Sequence, residues 1–170
     1  MVNISATPYA IDDVMRWLSQ VPDPEIPVLS VVDLGLIRDV AWDGRSCVVT
    51  ITPTYSGCPA MQEISADIKS TLLAHGIEQV RIETRLAPAW TTDWMTPKGH
   101  EALRSFGIAP PREKAIDVSG ITRRAAEVVV PCPLCGSSHT RLISHFGSTS
   151  CKALYRCNDC REPFDYFKAH

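Results

Sequence analysis

Four cysteines in two closely spaced pairs constrain this chain more than any other sequence feature. Cys132 and Cys135 form one C-x2-C pair, Cys157 and Cys160 form a second, and 21 residues separate the two pairs. The two residues between the cysteines of a pair let both sulfurs face one ion. Gly136 permits a tight turn that points backbone amides at sulfur. The residues between the pairs suffice for a β-hairpin that returns the chain to the first pair. We therefore expect a tetrahedral four-thiolate site in a zinc-ribbon-like module.

Structural zinc is the expected metal, because a closed four-thiolate site leaves no position for a substrate. Mononuclear iron in a rubredoxin-like electron-transfer site is the alternative, since the same turn serves both metals. Residues 128–170 contain few large apolar side chains, too few for a secure core. Metal binding is therefore expected to supply the folding energy of this module.

Composition and charge place the chain among ordinary soluble proteins. Of its 170 residues, 45% are hydrophobic and 21% charged, and no apolar run approaches the ~18 residues needed to cross a bilayer. The chain start lacks the features of an export signal, so we expect a cytoplasmic protein. Its 7 cysteines then favour metal ligation or thiol chemistry over disulfides. Residues 1–111 carry a net charge of −5 and residues 112–170 one of +3, so no nucleic-acid or membrane partner is expected.

Proline and charge mark a boundary within the chain. A stretch that can neither continue a helix nor bury much surface predicts a linker at 108–127. A first domain at 1–107 precedes this linker, and the four-cysteine module at 128–170 follows it.

Hydrophobic periodicity predicts an α+β fold for the first domain. The order is α-β-β-α-β, with an antiparallel hairpin and a third, parallel strand that together make a three-stranded mixed sheet. Helical patterns lie at 11–18, from Pro59 to Gly76, and near 98–106, and β-leaning runs lie at 36–42, 47–52 and 77–86.

A lone cysteine stands at the predicted start of the second helix. Pro59 favours the first helical position, so Cys58 falls at or near the N-cap. Unpaired backbone N–H groups and the positive end of the helix dipole would then lower the pKa of its thiol below the free-peptide value. Cys58 is thus a candidate reactive or metal-capturing thiol, and the alternative is a partly buried capping cysteine.

Two acidic residues and one further cysteine are also candidates. Asp23 and Glu25 offer hard oxygen ligands on a proline-stiffened loop, although such loops are commonly solvated turns. Cys151, between the two cysteine pairs, is a buried small residue, an accessory thiol, or part of an anion-contacting turn with Lys152 and Arg156.

Two tryptophans and a strand cysteine complete the candidates. Trp90 and Trp94 either form an exposed partner-binding surface or cover the core of their own domain. Cys47 falls in the middle of a predicted strand and is expected to be structural.

Several motifs resemble the iron–sulfur assembly domain family, which includes the SUF-system accessory protein and the eukaryotic cytosolic Fe–S targeting factor. They are Asp23-Pro24-Glu25, Asp33-Leu34-Gly35-Leu36-Ile37 and Thr52-Pro53-Thr54-Tyr55-Ser56-Gly57-Cys58-Pro59. This resemblance covers about residues 8–105. The stretches 87–94 and 146–152, together with the four-cysteine module, more closely resemble the family of D proteins of the phenylacetyl-CoA epoxidase system. The closer resemblance spans nearly the whole chain.

The resemblance implies a maturation role in aerobic bacterial phenylacetate degradation. In the family, the positions that match Cys58, Asp23 and Glu25 are tied to cluster or iron handling. The implied partners are a diiron oxygenase and a flavin/[2Fe–2S] reductase component, which would receive iron or an Fe–S fragment. This protein would hold the iron transiently, either within one chain or across a homodimer. The assembly domain does not explain the C-terminal module, for which we infer partner docking or stabilisation.

Two other functions stay open. The chain could be a non-catalytic subunit or docking adaptor of the epoxidase, or a small rubredoxin-like electron-transfer protein. Enzymatic turnover is favoured least, because no histidine lies near Cys58 in the sequence and the familiar enzyme motifs are absent.

Overall fold

Two separate three-stranded sheets form in the computed structural model, which describes residues 9–111 and 129–169. The chain divides into two units, Met1–Gly99 and His100–His170, and the protein is α+β as predicted. Most of the predicted linker at 108–127 lies outside the described residues. At its described start, Ile108 and Ala109 are buried, and Ala109 forms a parallel bridge to Tyr166. These two residues therefore belong to the second unit, which the linker prediction missed.

The sheet of the first unit is the predicted mixed sheet. Strands β1 (Ile37–Asp43) and β2 (Ser46–Ile51) are antiparallel, and β3 (Gln79–Thr84) pairs in parallel with β2. Val49 at the centre of β2 lies between Val40 and Ile82, and all of β2 after Ser46 is buried. β2 is therefore the central strand, and its end leads into the loop that carries Cys58.

Two amphipathic helices contribute to the core of the first unit. Helix α1 (Ile11–Leu18) buries Val14 and Leu18 and contacts helix α2 (Met61–Ala74). α2 ends where predicted, because Gly76 adopts a left-handed φ of 91° after the cap residue. Its start was predicted at Pro59 but lies at Met61, so the chain makes a turn before the helix begins. The buried side chains of α2 are Ile64, Ile68 and Leu72.

The segment after β3 contains a short 3-10 turn at Thr92–Trp94 and leads to helix α3 (Pro97–Ser105). Asp33 holds this segment in place. Its carboxylate accepts hydrogen bonds from Ser30 Oγ at 2.7 Å and Thr96 Oγ1 at 2.9 Å, and Lys98 Nζ lies 3.2 Å away. Burial raises the pKa of Asp33, but these three donors outweigh burial and lower it overall. A buried carboxylate thus holds two distant stretches of the first unit together.

The second unit contains an antiparallel sheet of β4 (Thr140–Ser144), β5 (Lys152–Cys157) and β6 (Pro163–Phe167). The predicted hairpin is β4–β5, and β6 adds a third strand that the sequence did not predict. One face of this sheet packs on a small core made of Ala109, Val130, Cys132, Ala153, Cys157, Phe164 and Tyr166.

Candidate functional site

The four cysteine sulfurs of the second unit converge as predicted. Cys132 and Cys160 sulfurs lie 3.8 Å apart, those of Cys135 and Cys157 lie 3.6 Å apart, and all four lie within 4.8 Å of one another. A tetrahedral zinc ion with Zn–S bonds of ~2.3 Å places its sulfurs ~3.8 Å apart. The donor set and its spacing therefore fit structural zinc.

Backbone amides surround these sulfurs, as the turn geometry predicted. The Ser137 amide donates to the sulfur of Cys135, and the Glu162 amide donates to that of Cys160. The sulfur of Cys157 accepts from the amides of Asp159 and Cys160. Such N–H···S contacts stabilise the thiolate form that a metal requires.

Asp159 connects the two cysteine turns. Its carboxylate accepts a hydrogen bond from Ser137 Oγ, and His139 Nδ1 lies 3.2 Å away. The Ser137 hydroxyl, followed by His139, lowers the pKa of Asp159. These two contacts of Asp159 join the turn after the first cysteine pair to the turn of the second pair at the protein surface.

Cys58 lies half-buried in the loop between β2 and α2. The amide of Ala60 and the hydroxyl of Tyr55 donate hydrogen bonds to its sulfur. The sulfur therefore does meet a free amide ahead of the helix, although the N-cap residue is Ala60 and not Cys58.

The predicted lowering of the Cys58 pKa is wrong. Burial raises the pKa of the thiol, and the negative charges of Glu25 and Asp23 raise it further. The hydrogen bonds from Ala60 and Tyr55 act in the opposite direction but do not compensate. The local helix argument correctly predicted a backbone amide donor but omitted burial and two distant carboxylates.

The charges of Asp23 and Glu25 act on the Cys58 sulfur, although among the described residues only the four cysteines of the second unit bring metal-ligating atoms close enough to share one ion. Asp23 is only 6% exposed, which rules out the simple solvated turn. One of its oxygens accepts from the amides of Glu25 at 2.9 Å and Ile26 at 2.8 Å. Asp23 therefore shapes this loop as well as charging it.

The tryptophan prediction needs one correction. Trp90 is 4% exposed, and its indole N–H donates to the Leu34 carbonyl oxygen at 3.1 Å, so it is part of the core and no partner surface. Trp94 is half-buried, and the Arg38 guanidinium lies 3.7 Å from its ring centre. A partner-binding role for Trp94 stays a prediction.

The remaining cysteines are buried. Cys47 is fully buried in β2, as expected, and burial raises its pKa. Cys151 is 4% exposed, with its sulfur 3.0 Å from Thr149 Oγ1. Cys151 is therefore a packed residue in this structure, and the accessory-thiol interpretation lacks an exposed sulfur.

Sequence reasoning missed Tyr55 as a neighbour of Cys58. The amide of Cys58 donates to the Tyr55 carbonyl at 3.2 Å, which closes a turn and brings the tyrosine hydroxyl to the sulfur. The three-residue spacing and the glycine just before Cys58 are the signals that could have indicated this turn.

Comparison with known proteins assigns the family. Residues 117–168 match the family model of the PaaD zinc beta ribbon domain, and residues 11–83 match that of iron-sulfur cluster assembly proteins. Over 161 residues the chain is 49% identical to an Escherichia coli K12 protein whose name describes it as a subunit of 1,2-phenylacetyl-CoA epoxidase, covering 95% of this chain and 94% of that one. The chain belongs to the PaaD family.

Other matches concern the first unit. Over 100 residues the chain is 39% identical to a Porphyromonas gingivalis protein named "Fe-S protein maturation auxiliary factor", covering 57% of this chain and 90% of that one. A solved DUF59 domain of unknown function from Bacillus anthracis superposes with a TM-score of 0.51 at 29% identity, covering 54% of this chain and 89% of that one. These matches support an accessory role related to iron–sulfur assembly. Within the described residues, every helix is too short or too polar to span a bilayer.

Proposed function

We propose that this protein is an accessory maturation factor that delivers iron or an Fe–S fragment to phenylacetyl-CoA epoxidase. The recipient is its diiron oxygenase or its [2Fe–2S] reductase component. The observation that carries the proposal is that the charges of Asp23 and Glu25 act on the Cys58 thiol in a domain of the iron–sulfur assembly family. The name of the Escherichia coli relative supports the choice of epoxidase.

Thiolate and carboxylate donors together suit iron as a cargo. Because burial and two carboxylates keep the Cys58 pKa high, the thiol carries its proton at neutral pH. Capture of Fe²⁺ therefore forms an S–Fe bond and releases that proton to solvent. The negative charges of Glu25 and Asp23 attract the cation while the thiol is still protonated, and the thiolate adds its own negative charge once the proton has left.

Weak retention follows from the same geometry and suits a carrier. Only one thiol is present, and one Asp23 oxygen is already engaged by two backbone amides. A recipient with several ligating side chains forms new bonds to iron while the Cys58–Fe bond breaks, and Cys58 then recovers a proton. The cargo leaves by ligand exchange, without a redox step.

The test is the iron and acid-labile sulfide content of the oxygenase and reductase purified from cells with different versions of this protein. When the protein is absent or carries Cys58→Ser, we expect iron to fall in at least one component, and sulfide to fall with it if that component is the [2Fe–2S] reductase. Cys47→Ala is the matched control, because Cys47 is a buried thiol of the same unit. Full iron loading of both components with Cys58→Ser would refute the carrier role.

A second candidate function is that of a non-catalytic subunit or docking adaptor. The name of the Escherichia coli relative, which describes a subunit, favours it. Co-purification with the epoxidase at fixed stoichiometry, with fully loaded but inactive components in the deletion strain, would support this alternative. The rubredoxin-like alternative predicts a visible charge-transfer band in the purified protein, whereas a zinc protein is colourless.

A further inference from the structure

Two arginines face each other directly across the β4–β5 pair of the second unit. Arg141 and Arg156 are register partners, so their side chains project from the same face of the sheet. Like charges in this position repel and destabilise a sheet unless an anion lies between them. The pairing is therefore unfavourable for the chain by itself.

A third arginine joins the pair. Arg156 Nε donates to the Arg161 carbonyl oxygen at 3.2 Å, which places the turn after Cys160 beside β5. In the part of the chain that the structure describes, none of these three arginines forms an ion pair. We refer to Arg141, Arg156 and Arg161 as the arginine face.

Arg161 occupies a position where glycine would be unstrained. It has a left-handed φ of 67°, and Gly136, which follows the first cysteine pair in the same way, has a φ of 76°. A side chain other than glycine destabilises this conformation. This left-handed residue turns the chain from Cys160 towards β6, and its arginine side chain is exposed.

An apolar groove continues from the arginine face on the same side of the sheet. Leu154 lies two residues before Arg156 on β5, and Pro163 is the register partner of Arg156 on β6. The groove has a volume of about 390 Å³, and Phe146, 68% exposed, forms part of its wall. The full lining is Phe146, Gly147, Ser148, Leu154, Pro163, Phe164 and Asp165.

We propose that the arginine face and this groove bind an acidic segment of a protein partner. Carboxylates of the segment pair with the arginines, and an apolar side chain enters the groove beside Leu154 and Phe146. Charge complementarity favours an anionic occupant for the arginines, and the Asp165 carboxylate that lines the groove is already paired with Lys152 at 3.7 Å. The adjoining groove is lined largely by apolar side chains, which suits a peptide with a large apolar residue better than a polyphosphate strand. The surface does not use Cys58, so its failure would leave the iron-handling proposal standing.

The experiment is selection of a displayed library of random 12-residue peptides on the zinc-loaded full chain. We expect enrichment of peptides rich in Asp and Glu that also contain a large apolar residue. The Arg141→Gln/Arg156→Gln double variant should lose at least about tenfold in affinity for such a peptide, measured by fluorescence anisotropy. Phe146→Ala should weaken binding by about threefold, because it removes part of the groove wall. The ring is exposed, so the variant should still fold.

Arg104→Gln is the control, because it removes one positive charge from an exposed site on α3 in the same unit. It should bind as the wild type does. Selected peptides without acidic enrichment, or equal binding by the double variant, would overturn the proposal. Tighter, arginine-dependent binding of an oligo-dT strand than of the selected peptide would also overturn it, in favour of a nucleic-acid surface.

Discussion

At Cys58, the charges of Glu25 and Asp23 act on a thiol that burial already keeps protonated. Replacing Glu25 by Gln removes one of these charges, so we expect the pKa of the Cys58 thiol to fall. The rate of iodoacetamide labelling at pH 7.5 should then rise by about two- to tenfold, because labelling follows the thiolate fraction. Peptide mass spectrometry of Cys58 across a pH series measures this directly.

Glu78→Gln is the control for that measurement, since Glu78 is an exposed acid of the same unit that pairs with Arg45. Its labelling profile should match that of the wild type. A Glu25→Gln profile shifted to higher pH, or left in place, would mean that Glu25 does not act on the sulfur.

The residues of the site were easier to predict than their electrostatics. Motif residues identified Cys58, Asp23 and Glu25, and the helix argument correctly placed a free amide at the sulfur. The sign of the pKa shift could not be predicted, because burial and charges more than thirty residues away in the chain depend on the fold. The choice between the two interpretations of Trp90 depends on the fold in the same way, since its hydrogen-bond partner is the distant Leu34 carbonyl.

Loss of Asp33 should weaken the first unit. Asp33→Ala removes the acceptor of Ser30 and Thr96, and we expect a cost of about 1–3 kcal/mol in the free energy of unfolding. Urea denaturation followed by tryptophan fluorescence measures this cost. Asp39→Ala, at an exposed position of β1, is the control and should cost far less.

The contribution of Asp33 should also depend on pH. Its pKa in the folded state lies below the usual value of 3.8, so the stabilisation is fully present above that value. It is lost as the pH falls through the folded-state pKa, when the carboxylate takes up a proton. The stability difference between wild type and Asp33→Asn should therefore shrink on acidification below about pH 4. A difference that stays constant would contradict the charge-dependent role.

At the scale of elements, hydrophobic periodicity predicted the strand and helix order of the first unit but not all boundaries. The β-leaning run at 47–52 predicted the strand that lies at the centre of the sheet, whereas proline statistics placed the start of α2 too early. The turn that closes through Tyr55 and Cys58 competes with helix formation there. β6 was missed because its five residues directly follow a cysteine turn and pair only when β5 is in place.

Metal removal should unfold the second unit selectively. Its core is small, and the four sulfurs bring two distant turns together, so zinc supplies much of its folding energy. We expect EDTA to accelerate amide hydrogen exchange in β4, β5 and β6 by at least about 100-fold, while β2 keeps its protection. Hydrogen exchange with mass spectrometry, before and after zinc is restored, measures the effect. Equal loss of protection in β2, or none in β5, would contradict it.

At the scale of the whole molecule, iron handling and docking are assigned to different units of one chain. Cys58→Ser alters only a half-buried sulfur of the first unit and leaves the four-cysteine site and the arginine face intact. The variant should therefore fold, hold one zinc ion and still reach the partner. The variant would then differ from the wild type only in its ability to hold and deliver iron.

This division predicts a dominant effect in cells that also contain the wild-type protein. An excess of Cys58→Ser should occupy the partner without delivering iron, and about tenfold excess should lower the iron content of the recipient component several-fold. Adding Arg141→Gln and Arg156→Gln to the same variant should abolish this interference, because the arginine face no longer docks. Iron and sulfide in the purified oxygenase and reductase are the measurement. If the variant that also lacks the two arginines still interferes, docking lies elsewhere on the chain. If Cys58→Ser alone does not interfere, delivery does not require a long-lived complex.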